Sequence, residues 1–388
     1  MRLKEVSTKR EKKQFLLVAK EVYKNDSTWV RPLDKEIESI FDPGKNVFFN
    51  HGKAKRWILF DSEGRLAGRI AAFIDYKTSE KQDQPTGGMG FFECIDNKEA
   101  SVILFDAARD WLKGEGMEAM DGPINFGERD KYWGLLVKGF THPAYEIAYN
   151  LPYYQKLYED YGFKTYYKAE GFHLKLDKPL SDRFRKIAEW ILKKPEYEFR
   201  YIEWGKMDQF IDDFVEVYNE AWASFQENFK PMKAPYVKKT IKKMKMILEP
   251  EFIWLAYNKG KPIAIYLMWP DVNMILKHLD GKLNLFTMIK FLYLKRKNTI
   301  TRARGVLMGV IPKFQNLGVE SGLALNVYNS TKSMPHYKEI EFSWVGDFNP
   351  KMRKMWLHIG GEPVKNYITY RYLFDRNKEY KRYPIPKD

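Results

Sequence analysis

The segment with the clearest potential for chemistry runs from 306 to 329, where an apolar strand-like run meets a glycine turn and then a helical pattern. Pro312 follows the apolar run, and Gln315, Asn316 and Gly318 come directly before the helix. A glycine here lets backbone N–H groups converge on one point, and the positive end of the helix dipole favours an anion there. The spacing therefore predicts a phosphate or pyrophosphate site.

Basic residues are concentrated before and within this turn. The chain holds 66 Lys and Arg against 51 Asp and Glu, for a formal charge of +15, and no acidic residue lies between Gly281 and Val319. This distribution favours an anionic ligand such as coenzyme A, a nucleotide-linked substrate or tRNA, and a solvated basic face is the alternative. The lysine-rich run 238–245 is most simply the outer side of an amphipathic helix.

The elements that must position this turn occur twice. A strand–turn–strand pattern surrounds Gly64 and again Gly260, 196 positions later, and an amphipathic helix ends at Gly162 and again at Gly360, 198 positions later. Each helix is followed by a β-rich run. Ordered landmarks at nearly one offset predict two similar units in tandem.

A length of 388 residues also favours two domains, since single cores rarely organise so long a chain. We expect one domain over 1–178, a linking helix and connection over 179–202, and a second domain over 203–388. The helical pattern of the connection covers 183–192.

Cysteine usage and hydropathy limit the cellular compartment in which we expect the protein. The single cysteine, Cys94, excludes an intramolecular disulfide and any zinc site of several thiolates, which favours the reducing cytoplasm. No run approaches the roughly 20 apolar residues of a membrane span, so we expect no integral membrane segment. The nearest run, Leu285 to Leu294, is interrupted by Lys290 and is expected to be a buried or groove-lining helix, with membrane-surface contact as the alternative.

The glycine turn resembles the acyl-CoA-binding loop of the GNAT acetyltransferase superfamily, usually Arg/Gln-x-x-Gly-x-Gly/Ala, at Gln315 and Gly318. Glu320 departs from that pattern. The wider pattern FFECIDN, GPIN, GLLVKGF, NLPYY, NEAW, LMWPD and GVIPKFQNLGVE resembles a bacterial family of tandem GNAT-like proteins and, more distantly, the Fem peptidyltransferases. The resemblance implies a mixed α+β fold of two GNAT-type domains, each with a splayed, mostly antiparallel sheet flanked by helices.

The resemblance also implies where acyl-CoA, with acetyl-CoA as the simplest case, would bind. The first half continues from its strand into a helix without a glycine turn, and Asp96 and Glu99 are expected to cap that helix. The donor is therefore expected on the second half. The positions implied are Val310, Ile311, Gln315, Asn316, Leu317, Gly318, Val319, Glu320 and Ser321.

Two residues carry the catalytic expectations. Tyr158 matches the family pattern Leu-Tyr-x-x-x-Gly-Phe, whose tyrosine protonates the departing thiolate, and a half-buried structural role is the alternative. Its second-half equivalent is Trp356. Glu341, on an expected strand beside the cleft, is the leading candidate for the general base. Asn125 and Asn349 are expected to contact substrate, Asn349 also being a candidate helix cap.

Three hypotheses of function follow. The first is acyl transfer from acyl-CoA to an amine or hydroxyl of a small-molecule or peptide acceptor, by direct attack in a ternary complex. The second is a Fem-like transfer from aminoacyl-tRNA. The third is a catalytically inactive binding module, because Glu320 and Trp356 depart from the enzyme pattern. The six histidines show no metal-ligand spacing, so no metal is expected, and the sequence does not indicate an oligomeric state.

Overall fold

The computed structural model describes residues 1–129, 131–223 and 231–385, apart from the side chain of Lys243. Two halves follow one another along the chain and share one order of elements. A single helix, α6, joins them.

The first half begins with the strand β1 and ends with the strand β7. Its elements in chain order are β1 (Arg2–Glu5), α1 (Lys9–Val22), α2 (Asp34–Ile40), β2 (Gly52–Phe60), β3 (Leu66–Asp75), α3 (Tyr76–Ser79), β4 (Thr86–Cys94), α4 (Lys98–Gly114), β5 (Ala119–Gly122), β6 (Leu135–Lys138), α5 (Tyr154–Tyr161) and β7 (Lys164–Lys175).

The second half repeats this order after the linking helix, adds one helix, α10, before its third long strand, and shows no counterpart of β6 among its described elements. Its elements are α6 (Asp182–Leu192), β8 (Tyr197–Tyr201), α7 (Met207–Ala223), α8 (Ala234–Met244), β9 (Ile253–Asn258), β10 (Lys261–Pro270), α9 (Asn273–Leu276), α10 (Leu285–Arg296), β11 (Arg302–Val310), α11 (Val319–Ser333), β12 (Glu339–Gly346), α12 (Pro350–Ile359) and β13 (Glu362–Leu373).

The predicted repeat is confirmed at its glycine landmarks. Gly64 and Gly260 have φ values of 79° and 78° in the turns of their hairpins. Gly162 and Gly360 both end their helices at a φ of 105°, a left-handed conformation that costs glycine little. The same local backbone requirement therefore recurs at the same place in each half.

The strands form one sheet in the order β1-β2-β3-β4-β5-β13-β7-β12-β11-β10-β9-β8, with β6 also paired to β13. Most neighbours are antiparallel. Two parallel pairs, β4 with β5 and β11 with β12, each pair over three residues and then diverge. The expected mixed α+β fold with splayed, mostly antiparallel sheets is thereby confirmed.

The two halves exchange their last strands. β13, from the end of the chain, lies between β5 and β7, while β7 pairs with β12 of the second half. Along the sequence, α6 follows β7, but the pairing of the strands does not follow a division at this point, and the expected domain bounds remain a prediction. The hydrogen bonds of the central strands therefore tie the halves together, which two independent domains in series would not show.

Helix α10 differs from its expectation. Phe291 is buried, but Leu285 and Phe286 are 74% and 82% exposed, so the helix is not buried as a whole. Among the described residues, no helix is both long and apolar enough to cross a bilayer.

Candidate functional site in the first half

A cleft opens in the first half where β4 and β5 diverge. The two strands pair from Thr86 to Gly88, and residues of the segments 123–124, 132–135 and 143–150 line the gap beyond this point. The space that the centre of a water molecule can occupy inside it is about 110 Å³. The apolar side chains of its wall include Val30, Ile37, Phe91, Ile124, Leu135 and Ile147.

A bulge in β4 shapes the inner wall. Phe91 has a φ of 51°, a left-handed value unusual for an aromatic residue, and the pairing of β3 with β4 shifts between Arg69 and Ala71. Beside it, a Cβ on Gly90 would lie 1.9 Å from the carbonyl oxygen of Ile124, so only glycine fits. Bulges of this kind redirect side chains next to a site.

Two carboxylates, Glu93 and Glu146, line this cleft, and Glu93 lies on the strand that forms its inner wall. The hydroxyl of Tyr154 donates to Oε2 of Glu93 at 2.8 Å and accepts from the backbone N–H of Cys94 at 3.0 Å. Arg69 lies 3.4 Å from Oε1. Burial raises the pKa of Glu93, and Arg69 with Tyr23 and Tyr154 opposes that rise. The carboxyl is thus fixed in position and is a better proton acceptor than an exposed carboxylate.

Tyr158 lines the same cleft, one helical turn after Tyr154 on α5. It is fully buried, its ring packs edge-to-face on Phe92, and its hydroxyl contacts Sδ of Met89 at 3.5 Å. A thioether is a weak acceptor. Burial raises the pKa of Tyr158 well above its usual value, so the hydroxyl keeps its proton at neutral pH. Its role as a proton donor remains a prediction, with a geometry that allows it.

The corresponding polar residues are missing from the second half, as its strand register shows. Arg69 pairs with Glu93 in the first half, and Ile265 pairs with Gly309 at the equivalent position of the second. A Cβ on Gly309 would lie 2.2 Å from Trp222, whose ring covers this site. The carboxylate position of the first half is therefore a filled apolar contact in the second.

The residues at equivalent positions of helices α5 and α12 also differ between the two halves. Met352 and Trp356 stand where the first half has Tyr154 and Tyr158, by the 198-residue offset. Trp356 stacks on Phe342 at 4.1 Å between ring centres and 5° between planes. Aromatic packing thus occupies the space beside β12.

The predicted glycine turn is present at the start of α11. Gly318 has a φ of 87°, and the side-chain amide of Gln315 donates to the carbonyl of Val310 at 3.0 Å. Ile187 of α6 lies against the turn, 3.3 Å from where a Cβ of Gly318 would be. Burial raises the pKa of Glu320, whose carboxylate folds back on its own backbone N–H.

Several implied positions of this loop have little exposed surface. Val310, Ile311 and Val319 are buried, whereas Leu317 is 43% exposed. Among the described residues, none of 310–321 lines the first-half cleft. The implied acyl-CoA contact at Asn316, Glu320 and Ser321 therefore stays a prediction and is separate from the Glu93 cleft.

The start of α4 is capped differently from the expectation. Asn97 is the N-cap, and its side chain accepts from the N–H of Ala100 at 2.8 Å. Asp96 and Glu99, which the sequence suggested as caps, have exposed side chains. The carboxylates expected to compete with a phosphate therefore do not close this helix start.

Glu341 lies in a buried ionic cluster at the junction of the halves. Its carboxylate is 2.8 Å from Lys365, 2.9 Å from Arg302 and 3.0 Å from His173. Burial favours the neutral carboxyl, but the charges of Lys365 and Arg302 outweigh it and hold the pKa of Glu341 well below its usual range. A carboxylate held ionised in this way is a weak proton acceptor, which argues against a role as general base.

The two asparagines that were expected to contact substrate lie in different parts of the structure. Asn349 caps α12, because its side chain accepts from the N–H of Met352 at 3.2 Å. Asn125 is buried next to the cleft-lining Ile124. Contact with substrate remains a prediction for both.

Sequence reasoning missed Glu93, Arg69 and Tyr154. A signal was present, since Glu93 is an acid inside the apolar run Phe91 to Ile95, and Tyr154 precedes Tyr158 by one helical turn. The pairing of Glu93 with Arg69 depends on the register of two strands, which composition does not reveal.

Comparisons with known proteins agree with this architecture. No family model matches the chain. It is 28% identical over 374 residues to the bacterial ceramide synthase of Caulobacter vibrioides, covering 94% of this chain and 95% of the relative. It is 26% identical over 369 residues to the protein YghO of Escherichia coli K12, covering 93% of each.

Two solved structures extend the comparison. A tandem GNAT protein from the clavulanic acid biosynthesis pathway matches with a TM-score of 0.56 at 10% identity, covering 97% of this chain and 99% of that one. A GCN5-related glucosamine N-acetyltransferase region of a fungal multi-domain β-N-acetylglucosaminidase matches with a TM-score of 0.54 at 10% identity, covering 96% of this chain and 38% of that one. At such identity a structural match shows the fold alone, and the fold of this chain is that of the tandem GNAT proteins.

Proposed function

We propose that this chain is an acyltransferase that moves the acyl group of an acyl-CoA to the amine of a long-chain amino alcohol. The reaction takes place in the first-half cleft. The observation that carries the proposal is the buried Glu93, held by Tyr154 and Arg69 at the wall of a cleft that also has an apolar part.

The chemistry requires one proton to leave the amine and one to reach the thiolate. Glu93 accepts the amine proton, for which its raised pKa suits it. The nitrogen then forms its bond to the thioester carbonyl carbon as the C–S bond breaks. Tyr158 gives its hydroxyl proton to the departing thiolate and regains one from solvent or from Glu93.

The donor phosphates are assigned to the start of α4. That helix begins just after β4 ends, so its N–H groups and Glu93 lie towards the same end of the strand. Helix starts bind phosphates through free N–H groups and the helix dipole. Asn97 occupies the N–H of Ala100, and the other N–H groups of the first turn supply the contact.

The acceptor is proposed from the similarity to the bacterial ceramide synthase, since a ceramide is the amide of a fatty acid with a long-chain amino alcohol. The apolar wall of the cleft suits the hydrocarbon part of such a molecule, and Glu93 suits its amine.

The test is a direct assay of the purified protein. Sphinganine is offered as acceptor with acetyl-, decanoyl- or palmitoyl-CoA as donor, released thiol is measured with a chromogenic disulfide, and the amide is identified by mass spectrometry. Ethanolamine, which has the same amino alcohol head without the chain, is the matched acceptor control. We expect sphinganine to react and ethanolamine to react at least about tenfold more slowly, because it lacks the apolar contacts.

Two results would redirect the proposal. If ethanolamine reacts as fast as sphinganine, the proposal of an acyltransferase stands, but the proposal of a long-chain acceptor is wrong. No CoA release with any acceptor, together with salt-sensitive binding of aminoacyl-tRNA, would favour the Fem-like alternative. Absence of both would favour the binding module.

A further inference from the structure

Helix α10 presents an apolar stripe to solvent. The exposed fractions of Leu285, Phe286, Ile289, Leu292 and Tyr293 are 74%, 82%, 59%, 39% and 53%. Their spacing places them on one side of the helix, while Phe291 is buried on the other. An apolar surface of this kind on one helix marks a binding face.

Basic side chains border this stripe. Lys282 and Lys290 are exposed near its start and middle, and Arg296 and Lys297 are exposed at its end. Lys290 donates to the carbonyl of His278 at 2.9 Å, which fixes the helix on its support. The stretch from Gly281 to Val319 has no acid, so the apolar centre of the face is bordered by cations from this stretch, while Asp280 precedes it and Glu249 lies 3.7 Å from Lys295.

We propose that α10 docks the protein on the surface of an anionic phospholipid bilayer, with its apolar stripe among the acyl chains and its cations at the headgroups. An interfacial helix combines these two features, and cations near the surface strengthen binding to anionic lipids. Docking of a second copy on the same face is disfavoured, because a symmetric contact would bring the two sets of lysines together.

The segment before α10 also touches the wall of the first-half cleft. The N–H of Asp34 donates to the carbonyl of Gly281 at 2.8 Å, and Arg31 pairs with Asp280 at 3.2 Å. Val30 and Ile37 of the same stretch line the cleft. Docking through α10 therefore brings this wall close to the bilayer, in which long-chain amphiphiles dissolve. The docking itself does not depend on the proposed reaction.

The experiment uses sedimentation of the full-length protein with vesicles. Vesicles of phosphatidylcholine alone are compared with vesicles containing about one third phosphatidylglycerol, at low and high salt. We expect binding to the anionic vesicles, weaker binding at high salt, and a partition coefficient at least about tenfold lower for the double variant Phe286→Glu, Ile289→Glu. Val47→Glu is the matched control, since Val47 is 65% exposed far along the chain from α10.

A fluorescent label locates the contact independently of vesicle affinity. Cys94 is buried, and burial raises the pKa of its thiol to about 12, so an added surface cysteine is labelled selectively. An environment-sensitive dye on Phe286→Cys should shift to the blue with anionic vesicles, and the same dye on Val47→Cys should not.

Three outcomes overturn the proposal. They are no binding of wild type to anionic vesicles, unchanged binding of the Phe286→Glu, Ile289→Glu variant, and a wild-type dimer that this variant dissociates without any vesicle binding. None of these measurements requires a substrate, so they are independent of whether the proposed reaction occurs.

Discussion

The two halves of this chain share one fold and differ at the place where their parallel strands part. In the first half the gap between β4 and β5 holds Glu93 and Arg69, and in the second half the equivalent pair is Gly309 and Ile265, covered by Trp222. The order of the central strands is shared, so the difference at this place depends on a few side chains. One copy of the fold keeps a cleft, and the other fills it with aromatic packing.

Two buried carboxylates, Glu93 in the cleft and Glu341 at the junction of the halves, differ in the direction of their pKa shifts. Burial raises the pKa of Glu93, whereas Lys365 and Arg302 hold the pKa of Glu341 low. A carboxyl with a raised pKa accepts a proton more readily, and one held by cations contributes to the folded state. The carboxylate in the cleft is thus suited to proton transfer, and the carboxylate at the junction between the halves is suited to stabilising the fold.

The largest expected effect is on catalysis. Glu93→Gln should lower kcat for sphinganine acylation by about a hundredfold or more, because the amide accepts no proton. The wild-type kcat should fall as the pH is lowered through the raised pKa of Glu93, and the variant should lack this acid limb. A pH–rate profile measures both. Glu198→Gln, at an exposed position of β8, is the control. An equal loss of kcat in Glu93→Gln and Glu198→Gln would contradict a specific role of Glu93 in the first-half cleft.

The next effect is on stability and concerns Glu341. Glu341→Ala should lower the free energy of unfolding by about 3–5 kcal/mol, because Lys365 and Arg302 would stay buried without their carboxylate. The folded pKa is below the ordinary value of 4.5, so this contribution is complete above that value and is lost as the pH falls below it. Denaturant unfolding of both proteins at pH 7 and pH 3 tests this.

A second variant, Glu341→Gln, examines the sequence-based assignment of Glu341. If Glu341 were the general base, this isosteric variant would lose turnover while still folded, and its pH–rate profile would lack the acid limb. We expect its main change in the unfolding curve.

Smaller effects, on kcat and on stability, are expected at the two equivalent helix positions, Tyr158 of α5 and Trp356 of α12. Tyr158→Phe should lower kcat about tenfold to a hundredfold with little change in stability, since its hydroxyl contacts only the weak acceptor Met89 among the bonds described. Trp356→Phe should instead lower the free energy of unfolding by about 1–2 kcal/mol, because it reduces the stack on Phe342. A reversal, with kcat sensitive to Trp356 alone, would place the chemistry in the second half.

The smallest expected effect concerns the donor phosphates. Gly318→Glu should change the CoA dissociation constant by less than about threefold, whereas Asn97→Glu should weaken it about tenfold, because it removes the cap and adds a third carboxylate beside Asp96 and Glu99, which increases the repulsion of phosphate. Calorimetric titration of each variant measures this. Loss of binding in Gly318→Glu alone would instead support the loop that the sequence implied.

The sequence predicted the architecture well and the site only in part. The tandem repeat, the helix-ending glycines and the splayed sheets follow from local patterns, and all are found in the structure. Tyr158 lines the cleft and its role as proton donor stays a prediction, whereas Glu341 lies in an ionic cluster and much of α10 is exposed. Apolar residues in α10 looked like core because periodicity does not say which partner covers a helix face.

The sequence by itself determined the two GNAT-type halves, because turn glycines, strand patterns and helix caps act over a few residues. The exchange of β7 and β13, the pairing of Arg69 with Glu93 and the cover of Trp222 over Gly309 were decided only by the tertiary structure. These contacts join residues far apart in the chain. Their partners depend on strand order and register, for which one sequence without its fold holds no local signal.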